Sequence, residues 1–470
     1  MIAAPKSGSG KTLITCALIR ALKDMGESVR AFKCGPDYID PMFHRDVLGI
    51  SSKNLDTFFT GEEGTRRLFE KSAKAGDFAV FEGVMGLFDG LGGTGEEGSS
   101  YHLAKVTDTP VILVVDAKGM GRSVIALIAG FLKYDHKQLI KGVILNRTSR
   151  AFFEVLKPLI ERELGIRALG SFSDNKGLCI ESRHLGLVMP GEIDDLNEKL
   201  VLAADELEKN VDVEGLLEIA RAAVDTDNEK KLNENIANES SCEIPAQDTD
   251  KESRCQPSRE TSGRVSNRPV IAVARDEAFC FLYEDNLALL EGFGARLEFF
   301  SPLRDKHLPV GSRGLLLCGG YPELFLEELS GNRQMLEEIR RAYASGMPTI
   351  AECGGFMYLH EEIKDRFNKA YPMVGAVNSA CFYTGGLVRF GYIELREKRS
   401  LFLAPGESIK GHEFHHFDSD MNGTDCVASK SAGKGREYEC VIAGEGRFVG
   451  FPHLYYPSNP EFAERIVKML

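Results

Sequence analysis

The fold of the first half of this chain is decided by Ile2-Ala3-Ala4-Pro5-Lys6-Ser7-Gly8-Ser9-Gly10-Lys11-Thr12. A short apolar run opens this segment, and a helical pattern of apolar residues follows it. The loop between them can turn backbone N–H groups toward an anion, while its lysine and hydroxyl serve the β- and γ-phosphates and Mg²⁺. The residues in those places are Gly8, Gly10, Lys11 and Thr12. Because Pro5 stands where the strict pattern has glycine, the segment predicts a variant ATP-binding loop, with a Gly/Ser-rich turn as the alternative.

Compact apolar runs alternate with helical patterns in both halves of the chain. The runs lie at 29–33, 78–81, 111–116, 142–146, 270–274, 297–300, 315–318 and 349–351. Buried runs separated by helices indicate a parallel sheet covered on both faces. The sequence therefore predicts an α/β protein with two such sheets.

Residues 225–268 differ from everything around them. They are rich in Asp, Glu, Asn, Ser and Lys and contain no aromatic residue. Their only large aliphatic residues are Leu232, Ile236, Ile244 and Val265. Such a composition cannot bury enough apolar surface to offset the entropy of ordering it. We therefore expect a flexible polar linker over 225–268, between domains of residues 1–224 and 269–470.

Composition and charge exclude several classes of protein. The 470 residues include 70 Asp and Glu against 57 Lys and Arg, a net charge of -13 that opposes nonspecific binding to nucleic acid or to an anionic membrane. No apolar stretch approaches the ~20 residues that span a bilayer, and the N-terminus lacks the apolar core of a secretion signal. The 11 cysteines have no regular spacing, so we expect reduced thiols and a cytoplasmic location.

Acidic side chains follow two of the predicted strands. Asp37 comes after the second strand, and Glu82 ends the run 78–81. Because the carboxyl ends of parallel strands converge on the ligand, these carboxylates are placed to hold Mg²⁺ with Thr12, and capping or turn roles are the alternative. Asp40 precedes Pro and Asp89 precedes Gly. Each either contacts the acceptor substrate or belongs to an ordinary turn.

Two other residues bear on the nucleotide site. Asn146 ends the run 142–146 and is a candidate to read the adenine edge. Lys6 occupies the place of the extra lysine of partition-type ATPases, which suggests a P-loop switch that binds a protein partner. This second hypothesis conflicts with the acidic charge balance of the chain.

A candidate nucleophile lies in the second half, in Thr349-Ile350-Ala351-Glu352-Cys353-Gly354-Gly355-Phe356. A strand, one cysteine, two small residues and a helical pattern are typical of a nucleophile elbow, although a buried core thiol is the alternative for Cys353. Gly319 and Gly320, in a loop after another apolar run, offer backbone N–H groups to an oxyanion. A cysteine nucleophile needs a base. The candidate bases are His360, His412, His415, His416 and His453.

These segments together resemble the cobyrinate a,c-diamide synthases, a family of class I glutamine amidotransferases in corrinoid biosynthesis. The matching stretches run in order over nearly the whole chain, at 7–12, 32–41, 54–57, 82–90, 183–187, 279–283, 318–324, 351–355 and 411–415. The resemblance implies a P-loop NTPase domain like that of dethiobiotin synthetase and a flavodoxin-like glutaminase domain. It further implies cobyrinate, ATP and L-glutamine as reactants and Mg²⁺ as a cofactor, with amidation of two acetate carboxylates through acyl phosphates in cobalamin biosynthesis. A homodimer is left open.

Residue roles carry over from the resemblance by position. It makes Cys353 the nucleophile and His453 its general base. It assigns triphosphate and metal to Lys11, Thr12, Asp37 and Glu82, and the acceptor side to Tyr38, Ile39, Asp40 and Asp89. Class I glutaminases usually orient the histidine with a carboxylate two residues on, and here that place is Tyr455. The sequence therefore leaves open what orients His453. It also leaves open two rival acceptors, hydrogenobyrinate and nickel-sirohydrochlorin.

Overall fold

The computed structural model describes residues 1–74, 76–178, 182–183, 186–187, 193, 195–223, 268–431 and 435–470. The predicted linker 225–268 therefore lies outside the described residues, apart from Arg268. Residues 184 and 185 of the 183–187 motif also lie outside the described residues. The side chains of the rest of this motif are not described. The domain boundaries 1–224 and 269–470 remain our proposal.

The N-terminal half is built on seven parallel strands in the order β3-β2-β4-β1-β5-β6-β7. Its strands are β1 (Ile2–Ala3), β2 (Val29–Cys34), β3 (Ser52–Leu55), β4 (Phe78–Glu82), β5 (Val111–Asp116), β6 (Ile140–Asn146) and β7 (Arg167–Phe172). Its helices are α1 (Lys11–Asp24), α2 (Ile39–Met42), α3 (Thr57–Ala73), α4 (Ser100–Val106), α5 (Ser123–Tyr134), α6 (Arg150–Leu164), α7 (Leu196–Asn210) and α8 (213–223). A two-stranded hairpin, β8 (Ser182–Arg183) with β9 (Gly186–Leu187), follows β7.

Both faces of this sheet are buried, because alternate strand residues join different apolar clusters. Ile112 and Val114 of β5 pack with α1 and α7, whereas Leu113 and Val115 pack with α5 and α6. The near-continuous apolar runs of the sequence follow from this two-sided burial. The predicted covered parallel sheet is confirmed.

The C-terminal half contains a second central sheet, in the order β11-β10-β12-β13-β23-β22. The first five strands are parallel, and their order is that of flavodoxin-like folds, as predicted. They are β10 (Val270–Ala274), β11 (Arg296–Phe300), β12 (Ser312–Leu317), β13 (Thr349–Glu352) and β23 (Arg447–Gly450), with β22 (Ile442–Gly444) antiparallel at the edge. The helices of this half are α9 (Glu284–Gly292), α10 (Leu326–Gly331), α11 (Arg333–Ala344), α12 (Gly354–Leu359) and α13 (Pro460–Lys468).

Two further sheets of this half were not predicted from the sequence. One has the order β15-β14-β16-β19 and the other the order β21-β20-β17-β18-β24. Their strands are β14 (His360–Lys364), β15 (Ala370–Pro372), β16 (Val377–Tyr383), β17 (Arg389–Glu397), β18 (Ile409–His415), β19 (Phe417–Ser419), β20 (Cys426–Lys430), β21 (Glu437–Cys440) and β24 (His453–Leu454). They escape a search for apolar runs because buried and half-buried residues alternate along them, as in β18.

The two halves meet along a polar and aromatic interface. Hydrogen bonds join Lys53 Nζ to Asp285 Oδ1 at 2.5 Å, Tyr392 Oη to Asp56 Oδ2 at 2.6 Å, and Lys410 Nζ to the Phe58 carbonyl at 2.7 Å. The rings of Phe59 and Tyr455 stack at 4.9 Å. This interface brings the carboxyl ends of β2 and β4 against β18 and β24.

Eight cysteines lie in the described part of the chain, and all of them are free thiols, as expected. Within the same residues, no helix combines the length and apolar character needed to cross a membrane.

Candidate active site

The phosphate loop lies between β1 and α1, as predicted. The Lys11 ammonium donates to the carbonyls of Lys6 at 3.2 Å and Met85 at 2.6 Å. Burial, followed by the charge of nearby Lys33, lowers the pKa of Lys11 to about 8. Thr12 Oγ1 donates to Glu82 Oε1 at 2.5 Å, so the hydroxyl and the carboxylate that the sequence assigned to the metal are in direct contact.

The Asn146 side chain is hydrogen-bonded to the phosphate loop. Its Nδ2 donates to the Ser9 carbonyl at 2.8 Å, and its Oδ1 accepts from the Arg147 N–H at 2.9 Å. These bonds help to hold the phosphate loop in shape and use one N–H and one lone pair of the carboxamide. The role of Asn146 at the adenine edge stays a prediction.

A buried charge cluster lies beside the loop, centred on Lys33. Its ammonium forms a short ion pair with Asp40, lies 3.2 Å from Glu82 Oε1, and lies 3.9 Å from Asp37 Oδ2. His44 Nε2 lies 3.2 Å from the other Glu82 oxygen. Burial would raise the pKa of Glu82, but the Lys33 charge and the contact with His44 hold that pKa well below its usual range. Glu82 is therefore a fixed carboxylate at neutral pH.

Asp40 lies in the interior beside Lys33, and its role on the acceptor side stays a prediction. It is 5% exposed and pairs with Lys33, so it belongs to the charge cluster. Burial and the nearby charges of Asp37 and Glu82 act to raise the pKa of this carboxyl, while the Lys33 charge acts to lower it. The residues Lys33 and His44 were not singled out from the sequence, although Lys33 lies within the matching segment 32–41.

The donors at the phosphate loop fit a magnesium ion. Mg²⁺ in nucleotide sites usually takes one or two carboxylates together with phosphates and waters. Thr12 Oγ1 and Glu82 Oε1 supply such oxygens side by side. Asp37 lies farther out, where its Oδ1 accepts from the Ile39 N–H at 2.9 Å. Its role as a ligand stays a prediction.

A cavity of about 540 Å³ lies between the two halves. Residues expected on the acceptor side and residues of the glutaminase half share its wall: Asp37, Tyr38, Ile39, Asp89, His412 and His453. Asp89 is fixed there because its Oδ2 accepts from the Gly86 N–H at 3.0 Å. The cavity therefore touches the surroundings of both predicted reaction centres.

Cys353 lies at a sharp turn between β13 and α12. Its backbone has φ 46° and ψ -106°, a combination that costs free energy for a residue with a side chain. Its N–H donates to the Gly450 carbonyl at 2.9 Å, which fixes the turn against β23. The side chain is 6% exposed, and burial raises the pKa of the thiol. A neutral thiol in a strained elbow needs a base to remove its proton.

The glycine loop lies between this elbow and His453. A Cβ atom on Gly354 would lie 3.2 Å from the Gly320 nitrogen, and one on Gly319 would lie 2.3 Å from His453 Cε1. Only residues without side chains allow this approach. The structure therefore brings the predicted oxyanion glycines, the elbow and His453 into one site.

The other candidate histidines are placed differently. His360 bonds the Phe356 carbonyl at 2.8 Å and Ser419 at 2.8 Å, and His415 Nδ1 bonds the Phe417 carbonyl at 2.7 Å. His412 stacks on His453, with ring centroids 5.0 Å apart. Burial lowers the pKa of His412 to about 4, and burial lowers the pKa of His453 well below its usual value.

Two family models match the chain. Residues 1–187 match the CobQ/CobB/MinD/ParA nucleotide binding domain, and residues 270–454 match the CobB/CobQ-like glutamine amidotransferase domain. The chain thus joins a nucleotide-binding domain to a glutamine amidotransferase domain.

Similar proteins match along the whole length. A cobyrinate a,c-diamide synthase of Caldanaerobacter subterraneus subsp. tengcongensis is 39% identical, over 99% of this chain and 97% of its own length. Those of Fusobacterium nucleatum subsp. nucleatum and Picrophilus torridus are 37% and 36% identical, over 99% and 100% of this chain and 99% and 98% of their own lengths. These matches confirm the resemblance found in the sequence, and the chain belongs to the cobyrinate a,c-diamide synthase family.

Proposed function

We propose that the chain amidates the a- and c-acetate carboxylates of cobyrinate, with ATP and glutamine, in cobalamin biosynthesis. The observation that carries this proposal is the cavity of about 540 Å³ whose wall includes both the acceptor loop, residues 36–39, and His453. A reaction that joins an activated acid to nitrogen from glutamine needs a path for ammonia between the two reaction centres, and this cavity lies between their surroundings. The names of the relatives support the choice of acceptor.

The N-terminal half activates the acid. A carboxylate is a poor electrophile, and transfer of the γ-phosphoryl group converts one of its oxygens into a leaving group. Lys11 offers its ammonium to the phosphates, and Thr12 and Glu82 would hold Mg²⁺, which neutralises charge on the phosphates when it is bound. Tyr38, Ile39 and Asp89 face the cavity, where they can orient the macrocycle.

The C-terminal half releases ammonia. The Cys353 sulfur attacks the carboxamide of glutamine, and His453 takes the thiol proton and passes it to the departing nitrogen. The Gly319 and Gly320 N–H groups stabilise the oxyanion of the tetrahedral intermediate. Water then hydrolyses the thioester to glutamate. The ammonia remains a nucleophile only while it is unprotonated, so a closed path to the acyl phosphate favours amidation over release.

The acceptor is tested with a panel of cobyrinate, hydrogenobyrinate and nickel-sirohydrochlorin, each with ATP and glutamine. We expect cobyrinate to give the diamide with the highest kcat/KM, measured by the product mass. Preference for the nickel compound would overturn the assignment of the acceptor while leaving the chemistry intact. ATP hydrolysis that ignores every tetrapyrrole would favour the partition-type switch instead.

The same proposal places the enzyme in the cytoplasm, where ATP and glutamine are supplied. The homodimer stays a prediction.

A further inference from the structure

The His453 imidazole lacks the hydrogen bond that usually orients a catalytic histidine. In nucleophile–histidine pairs, a third group commonly bonds the far nitrogen of the ring. Here Nδ1 of His453 is buried and has no hydrogen-bond partner among the described residues. Tyr455, at the position of the usual carboxylate, donates instead to Asp285 Oδ2 at 3.1 Å. The ring must therefore be held by other contacts.

Aromatic rings surround His453. His412 stacks on it at 5.0 Å with an interplanar angle of 14°. The Tyr38 ring lies 5.5 Å away at 48°, and the Phe281 ring lies 6.0 Å away at 52°. Gly319 closes another side of the imidazole at close range. Ring packing of this kind restricts how far the imidazole can turn.

Tyr38 is the member of this group that comes from the N-terminal half. Its ring lies flat on Phe281, with centroids 4.9 Å apart and planes within 3°, and 4.4 Å from the Tyr283 ring. Only 7% of the residue is exposed. The residues on either side, Asp37 and Ile39, line the interdomain cavity with it. One short segment therefore contacts both the acceptor space and the glutaminase histidine.

The segment that carries Tyr38 is firmly anchored. Asn54 Nδ2 donates to the Asp37 carbonyl at 2.6 Å, and the Tyr283 hydroxyl donates to the Pro36 carbonyl at 3.0 Å. The Asp37 carboxylate lies 3.9 Å from Lys33 of the charge cluster. The contacts that hold this loop therefore also hold the Tyr38 ring against its aromatic neighbours.

We propose that Tyr38 is a positioning residue for glutamine hydrolysis, whose ring holds the His453 imidazole toward Cys353 in place of an orienting carboxylate. This inference rests on the proposed function of the C-terminal half. Its consequence is that the nitrogen-releasing reaction depends on the placement of the acceptor loop of the other half. Glutamine is then spent at full rate only when that loop is in place.

The test measures glutamate release by the full chain, with kcat and KM determined separately from pH 5 to pH 9. We expect Tyr38→Leu to lower kcat by about tenfold to a hundredfold, because small displacements of catalytic groups have effects of that size, while KM for glutamine changes by less than about threefold. Loss of the Tyr38 ring should also let water reach the His453 imidazole. The acidic limb of the pH profile for kcat should then move upward, toward the usual imidazole pKa of about 6.5. Tyr38→Phe keeps the ring and should stay within about threefold of the wild type.

Phe58→Leu is the matched control. Phe58 is also an aromatic residue of the N-terminal half at the interface, but its ring packs on Tyr392 at 4.7 Å and not on His453. It should leave glutamate release within about twofold of the wild type. An unchanged kcat in Tyr38→Leu, an equal loss in Phe58→Leu, or an equal loss in Tyr38→Phe would each overturn the inference. A wild-type chain that releases no glutamate even with ATP and cobyrinate present would instead refute the proposed function.

Discussion

In the N-terminal half, the side chains at the phosphate site are held by buried charges, whereas in the C-terminal half the histidine beside the nucleophile is held by aromatic rings. Glu82 is fixed by Lys33 and His44 at 3.2 Å each. His453 has ring neighbours and an unbonded Nδ1. The groups that hold Glu82 all come from the N-terminal half, whereas the rings around His453 come from both halves. The difference suggests that the first site is assembled within its own half and the second only when the halves meet.

The largest effect on the two sites is expected when the nucleophile is removed. Cys353→Ala should lower glutamine-dependent amidation by about a thousandfold or more, because no thioester can form. Amidation with added ammonium should remain, since the acid is still activated in the other half. The measurement is diamide formation with each nitrogen source. A folded variant that ammonium does not rescue would show that Cys353 has another role.

Removing the phosphate-loop lysine should impair amidation and leave glutamine hydrolysis measurable. Lys11→Ala should lower amidation by about a hundredfold or more with either nitrogen source, because both need the acyl phosphate. Glutamate release without acceptor should persist at a measurable rate. Ammonium-dependent amidation near the wild-type rate would contradict the assignment of the loop.

The pH dependence sharpens the difference between the two sites. Burial, with the nearby charges of His412 and His415, lowers the pKa of His453 well below its usual value. A base with a lowered pKa stays unprotonated at lower pH. The acidic limb of the kcat/KM profile therefore moves to lower pH. We therefore expect kcat/KM for glutamine to hold its plateau through pH 6.5 and to fall only below it. A half-maximal value at pH 6.5 or above would contradict the burial of this imidazole in the active state.

The smallest effect is expected at Tyr455. Its hydroxyl bonds Asp285 at 3.1 Å, and its ring stacks on Phe59 at 4.9 Å. Tyr455→Phe keeps the stack and should change glutamine hydrolysis by less than about threefold, with a loss of about 1–3 kcal/mol of stability from the missing bond. Glutamate release and thermal unfolding check the two parts. A loss of kcat as large as that predicted for Tyr38→Leu would return the orienting role to this position.

The parts of the molecule that local sequence determines were predictable. The phosphate loop, the elbow at Cys353 and the parallel strands are each encoded in a few consecutive residues, and the structure has all of them. The strands of 360–440 were missed because they pair across distant segments and alternate in burial. Propensity and pattern carry little information about such pairings.

The environment of single side chains was less predictable. Asp40 resembled an acceptor or turn residue, but its partner Lys33 lies on the preceding strand, and only the fold brings the two together in the interior. From residue types alone, His453 was one of five candidate bases. The close approach of Gly319 distinguishes His453, because the Tyr38 ring packs on His412 as well as on His453.

The central claim is that ammonia passes between the two reaction centres within the protein, and a nitrogen-tracing experiment tests it most directly. Cobyrinate and ATP are incubated with glutamine labelled with ¹⁵N in its amide, in the presence of a large excess of unlabelled ammonium. Because the cavity is lined by both the acceptor loop and His453, we predict that the diamide carries mainly ¹⁵N. A product whose label is diluted to the composition of the bulk ammonium would contradict the account.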